Sequence, residues 1–265
     1  MLVEQIYTEN ALRNFNYLIA CPETGEALAI DPLDVEKCLA AAKDKGWEIR
    51  QILNTHEHGD HTGGNTGMIA ATGAKLLAHH GAKEQNRISG VDIGLKAGDV
   101  VKIGKTVELE VLDTPGHTQC HVCLLSHTDQ PSLFSGDTLF SAGAGNCKGG
   151  GHPEALYETF VEQLIRLPAT TRVFPGHDYL ANNLGFTLDR EPDNKTAAEM
   201  LPKAKAQDPH HPIVTTMADE MRINTFFRLN SASVIAALRK KFSDFPEHPS
   251  EKDVFIALRE LRNSW

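Results

Sequence analysis

The sequence has no excess of positive charge. Its 26 Lys and Arg residues face 35 Asp and Glu residues, which gives a net charge of −9 at pH 7 and a pI of about 5.8. Proteins that bind nucleic acids concentrate Lys and Arg against the phosphate backbone. The acidic balance therefore argues against a nucleic-acid partner.

Long apolar runs are also absent. No stretch approaches the roughly 20 apolar residues that a membrane-spanning helix needs. Residues 1–5 contain neither the basic nor the apolar segment of a secretory signal peptide. We therefore expect no membrane partner and a cytoplasmic location. The length of 265 residues suits one large domain, or a medium domain with a smaller one.

The cysteines do not form a disulfide pattern, because they number five and their spacing is irregular. Cys120 and Cys123 form a C-x-x-C motif, but on a predicted strand their thiols point to different faces. A packing role is favoured over a redox or metal role. The glycine-rich run 141–151 lacks the spacing of a phosphate-binding loop, which argues against nucleotide binding and favours a loop that borders a ligand.

The most informative feature is a histidine-rich turn between a predicted strand and a predicted helix. From residue 55 it runs Thr-His-Glu-His-Gly-Asp-His-Thr-Gly-Gly-Asn. His56 and His58 are two residues apart, so in an extended segment they point the same way. Asp60 and His61 follow where the chain turns. Imidazole and carboxylate groups bind zinc and other divalent metals, so the turn could serve two neighbouring metal positions.

Four further segments fit the same site, since each follows an apolar run and lies in a turn with Gly or Pro. They are Ile-Asp-Pro at 30–32, Thr-Pro-Gly-His at 114–117, Phe-Ser-Gly-Asp at 134–137 and Phe-Pro-Gly-His at 174–177. Strand ends are where ligands carried by loops converge on a rigid scaffold. This convergence argues against an accidental surface histidine tract.

Taken in this order, the motifs resemble those of the metallo-β-lactamase superfamily over the larger, N-terminal part of the chain. A narrower resemblance is to glyoxalase II, the hydroxyacylglutathione hydrolases. It rests on Gly-His-Asp-Tyr-Leu-Ala-Asn-Asn-Leu at 176–184, Glu-Pro-Asp-Asn at 191–194 and Asn-Thr-Phe-Phe-Arg at 224–228.

The grouping of predicted strands and helices indicates an α/β fold with two sheets and outer helices. The resemblance implies an αββα sandwich with a small C-terminal helical subdomain. We expect a catalytic domain at 1–178 and a helical substrate-binding subdomain at 179–265. Strands are predicted at 2–7, 15–20, 27–30, 49–54, 75–78, 100–103, 107–112, 121–125, 133–135 and 171–174, with an irregular loop at 81–98. Helices are predicted at 34–45, 65–71, from 153, and at 179–188, 194–206, 215–221, 232–242 and 252–263.

The resemblance also implies a ligand set for two divalent metal ions, with zinc favoured and iron or manganese compatible. The set is His56, His58 and His117 for the first ion, Asp60, His61 and His177 for the second, and Asp137 as the bridge. Asp31 and Thr55 are expected to orient these ligands. Asp60 and Asp137 are the expected catalytic carboxylates, with Asp60 also placed to orient the attacking hydroxide.

Two cations would activate a shared water and polarise a carbonyl group, which is hydrolytic chemistry. A thioester releases a thiolate whose parent thiol has a pKa of about 8.5, so it needs little help from a general acid. An amide would need its nitrogen protonated or stabilised by the metal. This favours a thioester, and the resemblance implies hydrolysis of an S-2-hydroxyacylglutathione, such as S-lactoylglutathione, to the hydroxy acid and glutathione.

The expected glutathione pocket departs from the family pattern in the glycine-rich loop. The family's basic residue is Asn146 here, and its two aromatic residues are Cys147 and Lys148. Lys148 could supply the missing charge, Tyr179 is retained, and Arg228 matches the Arg of the C-terminal motif. We therefore expect Asn146, Lys148, Tyr179 and Arg228 to bind the glutathione thioester, whose carboxylates need local cations.

Other functions stay open at this point. The altered loop is compatible with a thioesterase that acts on another thiol. The histidine turn also resembles that of persulfide dioxygenases, which bind a single iron, although the helical tail argues against them. The complete ligand set disfavours a non-enzymatic binding protein. We expect a monomer or a weak homo-oligomer.

Overall fold

The computed structural model describes residues 1–265, and the N-terminal part of the chain forms a six-stranded mixed sheet. The strands follow one another in chain order: β1 (Leu2–Tyr7), β2 (Phe15–Ala20), β3 (Glu26–Ile30), β4 (Glu48–Leu53), β5 (Lys75–His79) and β6 (Ile93–Leu95). The first three pair antiparallel and the rest parallel. Every residue of β2 is buried, as expected for a strand covered on both faces.

The second sheet has five strands, and His117, Asp137 and His177 follow the ends of three of them. Its members are β7 (Val100–Ile103), β8 (Val107–Asp113), β9 (Val122–Ser126), β10 (Ser132–Gly136) and β13 (Arg172–Pro175). Between β10 and β13 in the chain, β11 (Leu139–Phe140) and β12 (Gly143–Ala144) form a separate small hairpin. The strand β13 pairs parallel with β10. The two parallel strands therefore end side by side, just before Asp137 and His177.

An aromatic core joins the two sheets. The rings of Tyr17, Phe134 and Phe174 lie with centroids 5.1–5.8 Å apart and are buried. The Tyr17 hydroxyl donates to the carbonyl of Pro175 at 2.6 Å. A buried phenol needs such a partner, and this one fixes the end of β13 against the first sheet. The turn that carries His177 is thereby tied to both sheets.

Helices cover the outer face of each sheet. Those within the sandwich are α1 (Val35–Lys45), α2 (Gly59–Thr62), α3 (Asn65–Thr72), α4 (His80–Glu84) and α5 (Pro153–Glu158). The helix α1 begins where Asp34 accepts the N–H of Lys37 and ends at Gly46, whose φ of +67° glycine adopts without strain. The αββα arrangement predicted from the sequence is confirmed.

Five helices follow the last strand; four of them share a core with the second sheet, and the second of the five packs on its two neighbours in the chain. The five helices are α6 (Leu180–Arg190), α7 (Lys195–Ala206), α8 (Met217–Ile223), α9 (Ala232–Lys241) and α10 (Glu251–Arg262). The helix α10 starts with the predicted capping box of Ser250 and Asp253. Its apolar stripe is buried in the core that also contains Leu133 and Phe160. No helix of the protein combines the length and apolarity needed to cross a membrane.

Every predicted strand and helix is present, but the structure adds short elements that were not predicted: α2, the strands β11 and β12, and a 3-10 turn at Thr225–Phe227. Two predicted segments also differ in form. The segment 81–98 is not wholly irregular, because it completes α4 and contains β6; with three residues, β6 is too short to show a period. The helix from Pro153 continues as a π-helical turn over 159–163 and a 3-10 turn over 164–166. Cys120 and Cys123 are buried in different core clusters, which supports the packing role.

Loss of the α10 cap should destabilise the fold measurably. Ser250→Ala removes the hydroxyl that accepts the N–H of Asp253, so we expect the free energy of unfolding to fall by about 1 kcal/mol. Urea denaturation followed by circular dichroism would measure this. Ser243→Ala, at an exposed turn residue, is the matched control and should cause no change. Equal effects of the two substitutions would contradict the capping role.

Candidate metal centre

Five histidines and two aspartates meet where strands of the two sheets end. His56 and His58 follow β4, and Asp60 and His61 lie in α2. The remaining three, His117, Asp137 and His177, follow β8, β10 and β13. All but His58 and Asp60 are buried. The structure therefore brings together the complete set of predicted metal ligands.

The first group is formed by three imidazole nitrogens. Nδ1 of His58 lies 3.1 Å from Nε2 of His56 and 3.0 Å from Nε2 of His117. Burial lowers the pKa of His56 and of His117, and the neighbouring imidazoles lower both further. Both rings are therefore held neutral, which is the form that binds metals. This group could hold a metal ion.

The second group is formed by two imidazoles and a carboxylate. Nε2 of His61 lies 3.3 Å from Nε2 of His177. The Oδ2 atom of Asp60 is 3.4 Å from the former and 3.5 Å from the latter. These three atoms converge as ligands of one cation would, and the group could hold a second metal ion.

Asp137 lies between the two groups. Its Oδ2 atom is 3.1 Å from Nε2 of His177 and 3.5 Å from Nε2 of His117, while Oδ1 is 3.4 Å from Nε2 of His61. The Oδ1 atom is buried and accepts no hydrogen bond. Leaving a buried carboxylate oxygen without a partner is costly, so the residues present fit a cation at this point.

In each of the five histidines, the ring nitrogen facing away from the centre contacts an oxygen atom. The contacts are Thr55 Oγ1 for His56 (3.0 Å), Gly149 O for His58 (2.9 Å), Asn146 O for His117 (2.6 Å), Asp31 Oδ2 for His61 (2.9 Å) and Leu12 O for His177 (2.7 Å). Donation to these oxygens places the proton on the outer nitrogen. In the neutral form of each ring, the inner nitrogen is then available to bind a metal.

Asp31 and Thr55 form the hydrogen-bonded support of two ligands, as the sequence predicts. Asp31 accepts from the backbone N–H of Thr55 at 2.8 Å and from its hydroxyl at 2.7 Å. The same carboxylate accepts from His61, and the Thr55 hydroxyl contacts His56. One buried carboxylate therefore orients a histidine of each group.

Two residues that support the candidate ligands were not predicted from the sequence. Nδ2 of Asn14 donates to Oδ2 of Asp60 at 3.1 Å, and nothing in the sequence signals that contact. Nε2 of His121 accepts the backbone N–H of Asp137 at 3.2 Å, and its ring stacks on that of His56 at 5.1 Å. The only signal for His121 was its place inside the C-x-x-C motif.

Two glycines of the motifs allow a close approach to the ligands. A Cβ atom on Gly176 would lie 2.3 Å from Oδ1 of Asp137, and one on Gly149 would lie 2.5 Å from Nε2 of His58. Either contact would displace a ligand. The glycine-rich loop predicted to border a ligand therefore packs directly on the metal centre.

A cavity of about 270 Å³ adjoins the metal centre. The ring of Tyr179 stacks on that of His177 at 4.9 Å, and Phe140 contacts both rings edge to face. Burial raises the pKa of Tyr179 to about 12, so its phenol keeps the proton and can donate. The lining residues are Phe140, Ala144, Asn146, Lys148, Tyr179, Asn183, Arg259, Arg262 and Asn263.

Three cations line this cavity, and two of them were not predicted. Arg259 donates to the carbonyls of Ala144 at 2.6 Å and Gly145 at 3.0 Å, and Arg262 donates to Asn183 at 3.3 Å. Lys148 completes the group. The sequence signal was a pair of arginines one turn apart at the end of α10, where basic residues also occur simply because they stabilise the helix dipole.

Arg228 was also predicted to bind the substrate, but in the structure it lies away from this cavity. Its guanidinium contacts the buried carboxylate of Glu191 through two hydrogen bonds of 2.6 and 2.7 Å, and it does not line the cavity. A buried carboxylate needs a paired cation, so the arginine is used within the helical tail. The other predicted pocket residues, Asn146, Lys148 and Tyr179, do line the cavity.

Removing the shared support should weaken metal binding. Asp31→Asn replaces an oxygen that accepts from His61 with an amide, so we expect metal affinity to fall about 10- to 100-fold. Metal retained per chain after dialysis against a graded series of chelator concentrations measures this. Asp34→Asn, at the α1 cap, is the control and should retain metal as the parent does. Unchanged retention in Asp31→Asn would contradict the assigned support.

Comparison with known proteins agrees with this geometry. Residues 20–177 match the model of the metallo-beta-lactamase superfamily, and residues 178–265 match that of the hydroxyacylglutathione hydrolase C-terminus. Hydroxyacylglutathione hydrolases of Polaromonas sp. (strain JS666) and Nitrosococcus oceani are 67% and 62% identical to this chain, with 100% of both chains covered in each case.

Solved structures share the fold at lower identity. ETHE1 from Myxococcus xanthus has a TM-score of 0.69 at 24% identity, covering 99% of this chain and 98% of its own. TTHA1623 in a di-iron-bound form has a TM-score of 0.59 at 26% identity, covering 84% of this chain and 98% of its own. The matches span both the sandwich and the helical tail. This chain therefore belongs to the metallo-beta-lactamase superfamily and, within it, to the hydroxyacylglutathione hydrolase family, glyoxalase II.

Proposed function

We propose that this protein hydrolyses S-2-hydroxyacylglutathione thioesters of the S-lactoylglutathione type to the 2-hydroxy acid and glutathione. The proposal rests on two adjacent features. The first is the pair of metal-ligand groups, and the second is a cavity lined by three cations. The rings of Tyr179 and Phe140 lie between the two. The full-length relatives at 62–67% identity, named hydroxyacylglutathione hydrolases, support the same reaction. The enzyme is a metal-dependent hydrolase of thioester bonds.

The ligand groups support two divalent ions per chain, with zinc the favoured metal. His56, His58 and His117 would hold one ion, Asp60, His61 and His177 the other, and Asp137 both. When bound, two such ions act as Lewis acids and lower the pKa of a bound water towards neutrality. Asp60 lies at the less buried edge of the centre; in this proposal it would also accept a hydrogen bond from the attacking water. Asp31 and Thr55 keep the histidine rings in orientation.

The cavity supports a glutathione leaving group. Glutathione carries two carboxylates, and Lys148 and Arg262 supply positive charge on an otherwise acidic protein. Tyr179 keeps its proton and can donate to a carbonyl oxygen close to the metal ligands. The thiolate released needs little protonation, so the site works without a separate general acid.

The two roles of the site are assigned to successive parts of the chain. We assign the metal centre to a catalytic domain at 1–178 and the thiol side of the substrate site to a helical subdomain at 179–265, which contributes Tyr179, Arg259 and Arg262. A small-molecule substrate is the only partner that the proposal requires. We propose a cytoplasmic location, since the glutathione substrate is an intracellular thiol compound. We also propose a monomer or weak homo-oligomer.

The substrate assignment is tested by steady-state hydrolysis of S-D-lactoylglutathione by the metal-replete enzyme. A simple lactoyl thioester that lacks the tripeptide is the comparison substrate. We expect kcat/KM to be clearly higher for the glutathione thioester, because only it reaches the cations of the cavity. Equal values for the two substrates would point to a thioesterase for another thiol, and no hydrolysis of either would reject the reaction class.

Removal of a ligand should abolish hydrolysis while the fold remains. For Asp137→Ala and for His58→Ala we expect kcat to fall by more than the roughly 100-fold that loss of a supporting partner causes. The measurement combines kinetics with circular dichroism and metal content. A folded Asp137→Ala variant that retains most of its kcat would contradict the metal-dependent mechanism.

The cations that line the cavity lead to a further prediction. Arg262→Ala should raise KM for S-D-lactoylglutathione about tenfold with kcat nearly unchanged, since a charged contact to the substrate is lost equally in the ground and transition states. Arg228→Ala is the control, because Arg228 pairs with Glu191 away from the cavity, and it should leave KM unchanged. A raised KM in Arg228→Ala but not in Arg262→Ala would instead support the binding role predicted for Arg228 from the sequence.

A further inference from the structure

The helical tail contains a fully buried carboxylate that the proposed reaction does not use. Both carboxylate oxygens of Glu220, in α8, accept the backbone N–H of Ala142, at 3.1 and 2.9 Å. Nδ2 of Asn224 donates to the same group at 2.8 Å. Burial raises the pKa of Glu220 to about 7, and these hydrogen bonds act in the opposite direction. A carboxyl group is costly to bury, so its position calls for an explanation.

The partner of Glu220 is the turn of the β11–β12 hairpin. Ala142 has a φ of +59°, in the left-handed region that non-glycine residues rarely adopt. Side chains of the tail also bind the two neighbouring carbonyls: Asn183 donates to Ser141 O at 3.0 Å, and Asn224 donates to Gly143 O at 3.1 Å. An unfavourable turn conformation is thus held by three side chains from outside the sandwich.

The two strands of this hairpin lead directly into the walls of the substrate cavity. On one side, Phe140 packs against His177 and Tyr179. On the other side, Ala144 lines the cavity, and its carbonyl accepts from Arg259. A shift of the turn would therefore move the aromatic wall and the cationic wall together. His56, His61 and His177 have supports outside the hairpin, in Thr55, Asp31 and Leu12. His58 and His117 bond to carbonyls of the loop that follows the hairpin.

We propose that Glu220 is a positioning residue for thiol recognition: it fixes the Ser141–Ala144 turn and so sets the distance between the Phe140–Tyr179 wall and the Arg259–Arg262 wall. The inference rests on the proposed function, because it concerns the glutathione side of that site. It assigns Glu220 no contact with substrate or metal. Its effect is on selectivity for the tripeptide thiol rather than on the hydrolytic step.

The chain offers a closely matched control in Glu191. This second buried carboxylate of the tail also accepts several hydrogen bonds, from Arg228, Ser231 and Asn194, but contacts neither the hairpin nor the cavity. Glu191→Gln and Glu220→Gln both replace a buried carboxylate of the tail with an amide. They differ in that Glu191 is paired with Arg228, whereas Glu220 accepts only from neutral donors. A merely structural role of Glu220 would give the two variants the same behaviour.

The experiment compares the parent enzyme, Glu220→Gln and Glu191→Gln by two readouts. Hydrogen exchange measured by mass spectrometry on a peptide spanning 139–146 reports the turn without any substrate. Steady-state kinetics with S-D-lactoylglutathione and with a lactoyl thioester lacking the tripeptide report selectivity. For Glu220→Gln we expect faster exchange of the peptide and KM for the glutathione thioester raised about tenfold. We expect kcat, metal content and hydrolysis of the small thioester to stay within twofold of the parent.

Several outcomes would overturn the inference. Glu220→Gln could behave as Glu191→Gln does, impair both substrates equally, or loosen the hairpin without a change in KM. If Glu220→Gln does not fold, Glu220→Asp keeps the charge and makes the same comparison with Glu191→Asp. A parent enzyme that does not prefer the glutathione thioester would reject the proposed function and the selectivity role together, whereas the exchange readout alone would still decide whether Glu220 holds the turn.

Discussion

The structure depends on a buried negative charge at Asp137. One oxygen of its carboxylate accepts no hydrogen bond, and the inner nitrogens of His61, His117 and His177 surround the group at 3.1–3.5 Å. Without a cation, neither the carboxylate nor the nitrogens have adequate partners. The order of the strands, the glycines beside the ligands and the outward hydrogen bonds of the rings all serve to bring these groups into contact.

The neighbouring elements act on the site at increasing distance. Asp31 and Thr55 orient one histidine from each ligand group, while the carbonyl of Leu12 and the amide of Asn14 support the second group from the N-terminal loop. The helical tail does not contribute metal ligands. It supplies Tyr179, Arg259 and Arg262 to the adjoining cavity and holds the β11–β12 hairpin between cavity and metal. In the proposed function, hydrolysis and thiol recognition thus depend on different parts of one chain.

Most of the fold could be predicted from the sequence, and so could the seven residues that meet as candidate metal ligands, because they lie in short motifs with strong patterns. The strands alternate or are wholly apolar, and the histidines lie within a few residues of strand ends. The pocket was harder to predict. Arg228 and Arg262 are both arginines near the C-terminus. Only the position of Glu191 in the fold shows that Arg228 forms an ion pair within the tail. Asn14 and Glu220 act through contacts 46 and 78 residues away in the sequence, which no local pattern reveals.

We propose that Asp137 joins two metal positions beside a cavity for the thiol. Anomalous X-ray diffraction from crystals of the metal-replete enzyme, recorded at the absorption edge of the bound metal, tests it most directly. We expect two peaks about 3.5–4 Å apart, one on each side of the Asp137 carboxylate. A single peak at His56, His58 and His117, with Asp60 and His61 unliganded in metal-saturated crystals, would contradict it.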